Sequence, residues 1–253
     1  MADNIPDVSR KALWAPRLSQ WTLVLAIGAL VIAATGLTLA RYDMVGKLSG
    51  FSALLGGGLI AAVALIFGLL ALFAGRGVDN GRRGRAFAGI AISLLFVGFL
   101  VSRPLMAGDV PAIHDVTTDL DNPPQFEVLP LRPDNLVGVG TVENWRRIHA
   151  AAYASVQPVM IAKPVAQVTE DAVRLARESG WEIAVSDPAR GHVEATASVS
   201  YIRFKDDVVI RITPTADGSQ SRVDMRSVSR VGVSDFGVNA RRIEDFLKRL
   251  SAS

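Results

Sequence analysis

The sequence predicts a chain of two parts. An α-helical membrane part with three transmembrane helices comes first, followed by an exported α+β domain that holds a four-stranded antiparallel meander with helices on one face. Three observations predict it. Half of the 253 residues are apolar and the mean hydropathy is +0.31, so membrane spans must be sought before any globular core. Three long uncharged runs crowd into the first 101 residues. Beyond Pro104 no apolar run reaches membrane length, and residues 181–230 show strand-period alternation broken by turn signals.

The membrane part occupies residues 1–103, with spans at about 21–40, 51–74 and 86–101. Trp21–Ala40 has 20 residues without a charge, about the length that crosses a hydrocarbon core. Phe51–Ala74 has 24, and Ala86–Val101 has 16, bracketed by Arg85 and Arg103, whose stems snorkel to the interfaces. Thr38-Leu39-Ala40 resembles a signal-peptidase site. The run before it is long for a signal peptide, so an uncleaved anchor is expected. Seven cations (Arg10, Lys11, Arg17, Arg76, Arg82, Arg83, Arg85) lie on one side of the spans and three (Arg41, Lys47, Arg103) on the other. The positive-inside rule then puts the N terminus in the cytoplasm and the C-terminal domain outside. The expectation is a multi-pass protein of a bacterial inner membrane with a periplasmic domain. No ionisable residue lies within a span, which argues against a pump or carrier. Gly57 and Gly58 precede Ala61 and Ala62 by four positions, a spacing that suits close packing of the anchor helices.

Residues 104–165 read as a Pro-rich extended segment with one helix, near Val142–Tyr153. Residues 166–253 read as helix, four strands, helix. Val168, Ala172, Leu175 and Ala176 share a helical face, and Gly180 falls where a C-cap belongs. Trp181, Ile183 and Val185 then alternate with Glu182, Ala184 and Ser186, and a turn at 187–191 leads into a strand over His192–Phe204. Lys205-Asp206-Asp207 reads as the next turn, followed by strands over 208–213 and 221–230. A last helix near Phe236–Leu250 carries Phe236, Ile243, Phe246, Leu247 and Leu250 in one stripe. Short turns force antiparallel neighbours, hence the meander.

Composition excludes several functions. The absence of cysteine removes disulfides, thiolate zinc sites, iron–sulfur clusters and a Cys nucleophile. Residues 104–253 hold 17 Lys+Arg against 20 Asp+Glu, so nucleic acid is not an expected partner. No metal-ligand spacing, phosphate loop, dinucleotide fingerprint or nucleophile elbow occurs, and neither a metal nor a cofactor is expected.

Two stretches stand out. One is Ile113-His114-Asp115-Val116-Thr117-Thr118-Asp119, with Asn122-Pro123-Pro124-Gln125-Phe126 behind it. The other runs from Arg226 to Arg242 and reads R-S-x-S-R-x-G-x-x-D-x-G-x-N-x-x-R. Together they resemble domain of unknown function family 1499, over roughly Ile113–Leu250. Three membrane helices ahead of the domain resemble one architecture of that family, and the resemblance implies no established reaction.

On their own chemistry, Arg226 and Arg230 share a strand face about 13 Å apart, at roughly 3.3 Å per residue. They are candidates to hold an anion, with Arg242, Thr118, Asp235 and Asn239 as further ligand candidates. The competing reading has the arginines paired with Glu182, Glu194, Asp115 or Asp119, tying the Pro-rich segment to the sheet. Asp235 reads as a helix cap, and Asn239, bordering an apolar stripe, needs buried partners. No catalytic residue is assigned; His114 and Asp119 are the candidates for an acid–base pair. The functional expectation is an integral membrane protein with an extracytoplasmic binding or interaction domain, for an anionic ligand or an envelope partner. The alternatives are an envelope hydrolase using His114 and Asp119 with an arginine oxyanion stabiliser, and an accessory subunit of a membrane complex. Its required partner is the lipid bilayer.

Overall fold

The computed structural model describes residues 10–74 and 83–253. Arg76 and Arg82, used in the orientation argument, lie outside the described residues. The chain forms two compact units, Met1–Met106 and Ala107–Ser253.

The first unit holds α1 (Arg10–Arg41), α2 (Lys47–Ala74) and α3 (Arg83–Ala107). Stretches Trp14–Arg41, Lys47–Ala74 and Arg83–Arg103 are long and apolar enough to span a membrane. Packing inverts the pattern of a water-soluble bundle. The buried residues of α2 are all Gly or Ala, among them Gly57, Ala61, Ala64, Gly68 and Ala71 at alternating steps of four and three. Large side chains such as Leu59 and Leu95 face outward. Helices without bulky residues between them approach closely, which is the packing available where lipid is as apolar as leucine. A Cβ placed on Gly57 would sit 2.7 Å from the Ala29 carbonyl oxygen, so α1 and α2 touch backbone to backbone there.

The second unit holds β1 (Asp115–Thr117), α4 (Val142–Ala152), β2 (Val159–Ile161), α5 (Val165–Glu178), β3 (Glu182–Asp187), β4 (His192–Val199), β5 (Phe204–Pro214), β6 (Ser221–Ser229) and α6 (Val238–Ser251). Strands β3 to β6 form the expected antiparallel meander. The sheet has six strands rather than four, because β1 and β2 both pair with β6. They lie end to end along its free edge, β1 against residues 226–228 and β2 against 221–223. Each is three residues long, too short to leave an alternating run in the sequence.

Two local differences have physical causes. The β4–β5 turn falls at Ser200–Arg203, where Ser200 and Arg203 take left-handed φ of 63° and 56°. Asp206 and Asp207 are therefore strand residues, not a turn. A bulge between Ile183 and Val185 sets Val185 opposite Glu194, off the apolar face that Ile183 continues.

One sheet face carries Val193, Val208, Ile210, Ile212, Val223 and Met225, which pack with Val168, Ala172 and Leu175 of α5 and Ile243, Phe246 and Leu250 of α6. Trp181 stacks on Phe246 with ring centres 4.8 Å apart. α5 ends in a left-handed Gly180, with the Trp181 N–H donated back to the Ala176 carbonyl.

Candidate functional site

The other sheet face is polar, and the Pro-rich segment covers it. Antiparallel pairing puts Thr117, Arg226, Val209 and Glu194 in one cross-strand row. Arg226 donates from Nε and Nη2 to the two oxygens of Asp115 at 2.9 and 2.6 Å, and from Nη1 to the Pro124 carbonyl. Both members of this pair are buried. Glu194, also buried, accepts the backbone N–H groups of Glu127, Val128 and Leu129 and meets His192 Nε2 at 2.9 Å. Burial pushes its carboxyl up, but the backbone amides and His192 more than offset this and hold it below the usual range. Arg230 grips Asp207 with Nε and Nη2, each at 2.8 Å. Arg132 reaches from the covering segment to the Ser229 and Gly232 carbonyls.

Asp119 contacts Arg211 at 3.1 Å and Arg222 at 3.5 Å, and its Oδ1 accepts the Asp121 and Asn122 N–H groups. The Thr118 hydroxyl donates to Asp224, and its backbone N–H donates to the Met225 carbonyl. Thr118 and Asp119 line a cleft of about 420 Å³ with Arg222, His149 and Tyr153.

α4 closes the outer edge of β1 with side chains instead of another strand. Trp145 Nε1 donates to the Asp115 carbonyl, and one turn later His149 Nε2 accepts the Thr117 N–H at 3.1 Å. An edge strand left with free polar groups invites foreign pairing, and this pair at i,i+4 removes them. The acceptor role requires a neutral imidazole; burial pushes the His149 pKa down to about 4.

Beneath α6 lies a second buried polar network. Asn239 donates to the His114 carbonyl and the Ser229 hydroxyl, and its Oδ1 accepts from Ser227 and Arg242. Arg242 also binds Asp206 at 2.6 Å. Asp235 accepts the Gly237 and Asn239 N–H groups ahead of the helix, and its burial raises its pKa despite those bonds. His114 is buried, with Nδ1 at 3.3 Å from the Val233 carbonyl, while its Nε2 has no partner among the described residues.

The eight sequence candidates therefore separate into three places. Arg226 and Arg230 sit on the polar face, each holding a carboxylate, Asp115 and Asp207. Thr118 and Asp119 sit at the β1 exit, while Asn239, Arg242, Asp235 and His114 surround the start of α6. Among the described residues no group of three or more His, Asp or Glu stands ready for a metal. An open groove of about 640 Å³ lies between the Pro-rich segment and α4. Asp115 and Arg226 belong to its lining, with Pro123, Leu131, Leu136 and Val142. Asn135 in the same wall donates to Asp115 at 2.6 Å. The shape of this groove was not legible in the sequence because one of its walls is irregular chain without periodicity. Sequence reasoning passed over Asp206 and Asp207, although two acids set two residues inside an alternating run are a sign of strand charges awaiting cross-strand partners.

Fold and site together define a protein with three helices long enough to span a membrane and an α+β domain whose polar sheet face is roofed and internally paired. The chain belongs to the family described as Protein of unknown function (DUF1499), which matches residues 115–250. No curated protein matches the chain.

Proposed function

We propose that this protein is an inner-membrane protein whose C-terminal domain, on the periplasmic side, is a binding module for an envelope protein partner and not an enzyme. The distribution of loop cations supports the orientation. The carrying observation is that Arg226, Arg230 and Arg242 each already hold a carboxylate of the domain itself, Asp115, Asp207 and Asp206. A free anion would have to displace an internal one. Of the two openings beside the roofed face, the larger is the groove, whose lining of Leu131, Leu136 and Val142 suits an extended apolar segment of a partner. The hydrolase alternative needs His114 beside a carboxylate at an open surface, whereas His114 is buried against the Val233 carbonyl.

A photoreactive amino acid at Leu131 of the full chain, irradiated in its own membrane, tests this. A discrete adduct is expected, and Val142→Asp on the same groove is expected to remove it while the fold persists. Adducts of equal yield from a photoreactive residue at Ala189, outside the groove, would contradict the reading.

A further inference from the structure

At the end of the domain where the chain enters from α3, two loops present apolar side chains to the outside. Phe236 is 53% exposed, Val233 42% and Val137 38%. Gly138 of one loop lies against Val233 of the other. The display is built, not accidental slack. Phe236 holds a left-handed φ of 53°, uncommon for a bulky residue, and Gly237 follows at 75°. Arg241 Nη2 fastens the Phe236 carbonyl at 2.9 Å, and the Asp235 N–H bonds the Ile113 carbonyl. Val110, in the entering segment, stands 3.4 Å from where a Gly237 Cβ would be.

We infer that Val233, Phe236 and Val137 form a contact surface for the lipid interface, seated in the bilayer that α1–α3 would span. Covalent reach supports that occupant. The apolar stretch of α3 closes at Arg103 and the helix ends at Ala107. Four further helical residues add about 6 Å, and the three residues to Val110 add at most about 11 Å. The headgroup zone extends about 5–8 Å beyond the hydrocarbon on each side. Val110 packs on this loop, so chain continuity keeps the apolar tip within about 17 Å of the hydrocarbon edge, a distance that admits contact with that zone. Chemistry agrees: an aromatic ring and two valines next to an exposed guanidinium match an environment that is apolar on one side and phosphate-bearing on the other. The inference holds on whichever side of the membrane the domain lies, so its failure is separate from failure of the proposed orientation.

The chain has no cysteine, so a single substitution gives a single probe site. Phe236→Cys and Val233→Cys, the second keeping the phenylalanine, are labelled with an environment-sensitive fluorophore. Each full-length protein is then placed at about one copy per vesicle of phosphatidylcholine and phosphatidylglycerol carrying a shallow spin-labelled lipid. Ala189→Cys is the reference, because the β3–β4 turn lies at the opposite end of the sheet from residues 229–237. At least twofold stronger quenching at 233 and 236 than at 189, with blue-shifted emission, is the expected result. Equal quenching at all three sites overturns the inference. Shielding that appears only at high protein-to-lipid ratio overturns it too, and assigns the patch to a second copy of the chain.

Discussion

At Arg226 a guanidinium 7% exposed meets the Asp115 carboxylate, 4% exposed. Removing one partner of a buried pair strands the other charge, a loss of about 3–5 kcal/mol. Arg226→Lys is expected to recover only part of this, because an ammonium cannot reproduce the two-pronged bond that Nε and Nη2 make. Residue-scale logic also fixes a pH response. His149 is held neutral in the fold, its pKa down at about 4 against the ordinary 6.5. Between those values the unfolded chain takes up a proton that the folded chain refuses, so stability falls as pH drops through this window. The full effect is on the order of 3 kcal/mol. Thermal unfolding of the full chain in micelles, followed by tryptophan fluorescence from pH 7.5 to 5, is expected to show about 2 kcal/mol of this loss. His149→Phe is expected to be less stable at pH 7.5 and to have a flatter profile. At this scale the sequence marks which side chains share a strand face but not which carboxylate each cation takes. Arg230 pairs with Asp207, whose neighbours Lys205 and Asp206 made it read as a turn.

Among elements, the two edge strands and the helix that closes them were the least legible. β1 is three residues flanked by polar chain, and it exists because β6 offers a paired edge and α4 supplies Trp145 and His149 to the other side. Such a strand is stabilised by tertiary partners rather than by its own propensity. By contrast, β4 and α6 were legible because each carries four or more apolar residues at its own period, and β5 and β6 by shorter alternating runs, Val208, Ile210 and Ile212 in one and Val223 and Met225 in the other. The membrane helices were legible for the same reason, and their small-residue stripe adds a testable consequence. Gly57→Leu forces a side chain into the Ala29 backbone contact. It is expected to separate α1 from α2, read as lost protease resistance of the micelle-bound protein, whereas Leu59→Ala on the outward face leaves resistance unchanged.

For the whole molecule, the two units answer to different solvents. Small residues face inward and large ones outward in the first, while the second buries its large residues between sheet and helices. With the domain on the far side from the N terminus, a thiol at Ala189→Cys is expected to react with a membrane-impermeant maleimide in spheroplasts. Labelling only after lysis would reverse the proposed orientation. The fold class was legible as a whole because hydropathy and strand period dominate it. The groove was not, since its form depends on where irregular chain crosses a sheet, and that is set by long-range bonds such as those from Glu194 to residues 127–129.

If the sheet arginines tie the roof down and leave binding to the groove, the melting temperature of the full chain in micelles separates wild type, Arg226→Ala and Arg230→Ala. Arg226→Ala is expected to lower it by on the order of 10 °C. Arg230, 45% exposed, is expected to lower it by only about 2 °C. An Arg226→Ala protein that melts with the wild type would mean that Arg226 does not tie the roof down, and would return the polar sheet face to candidacy as an anion site.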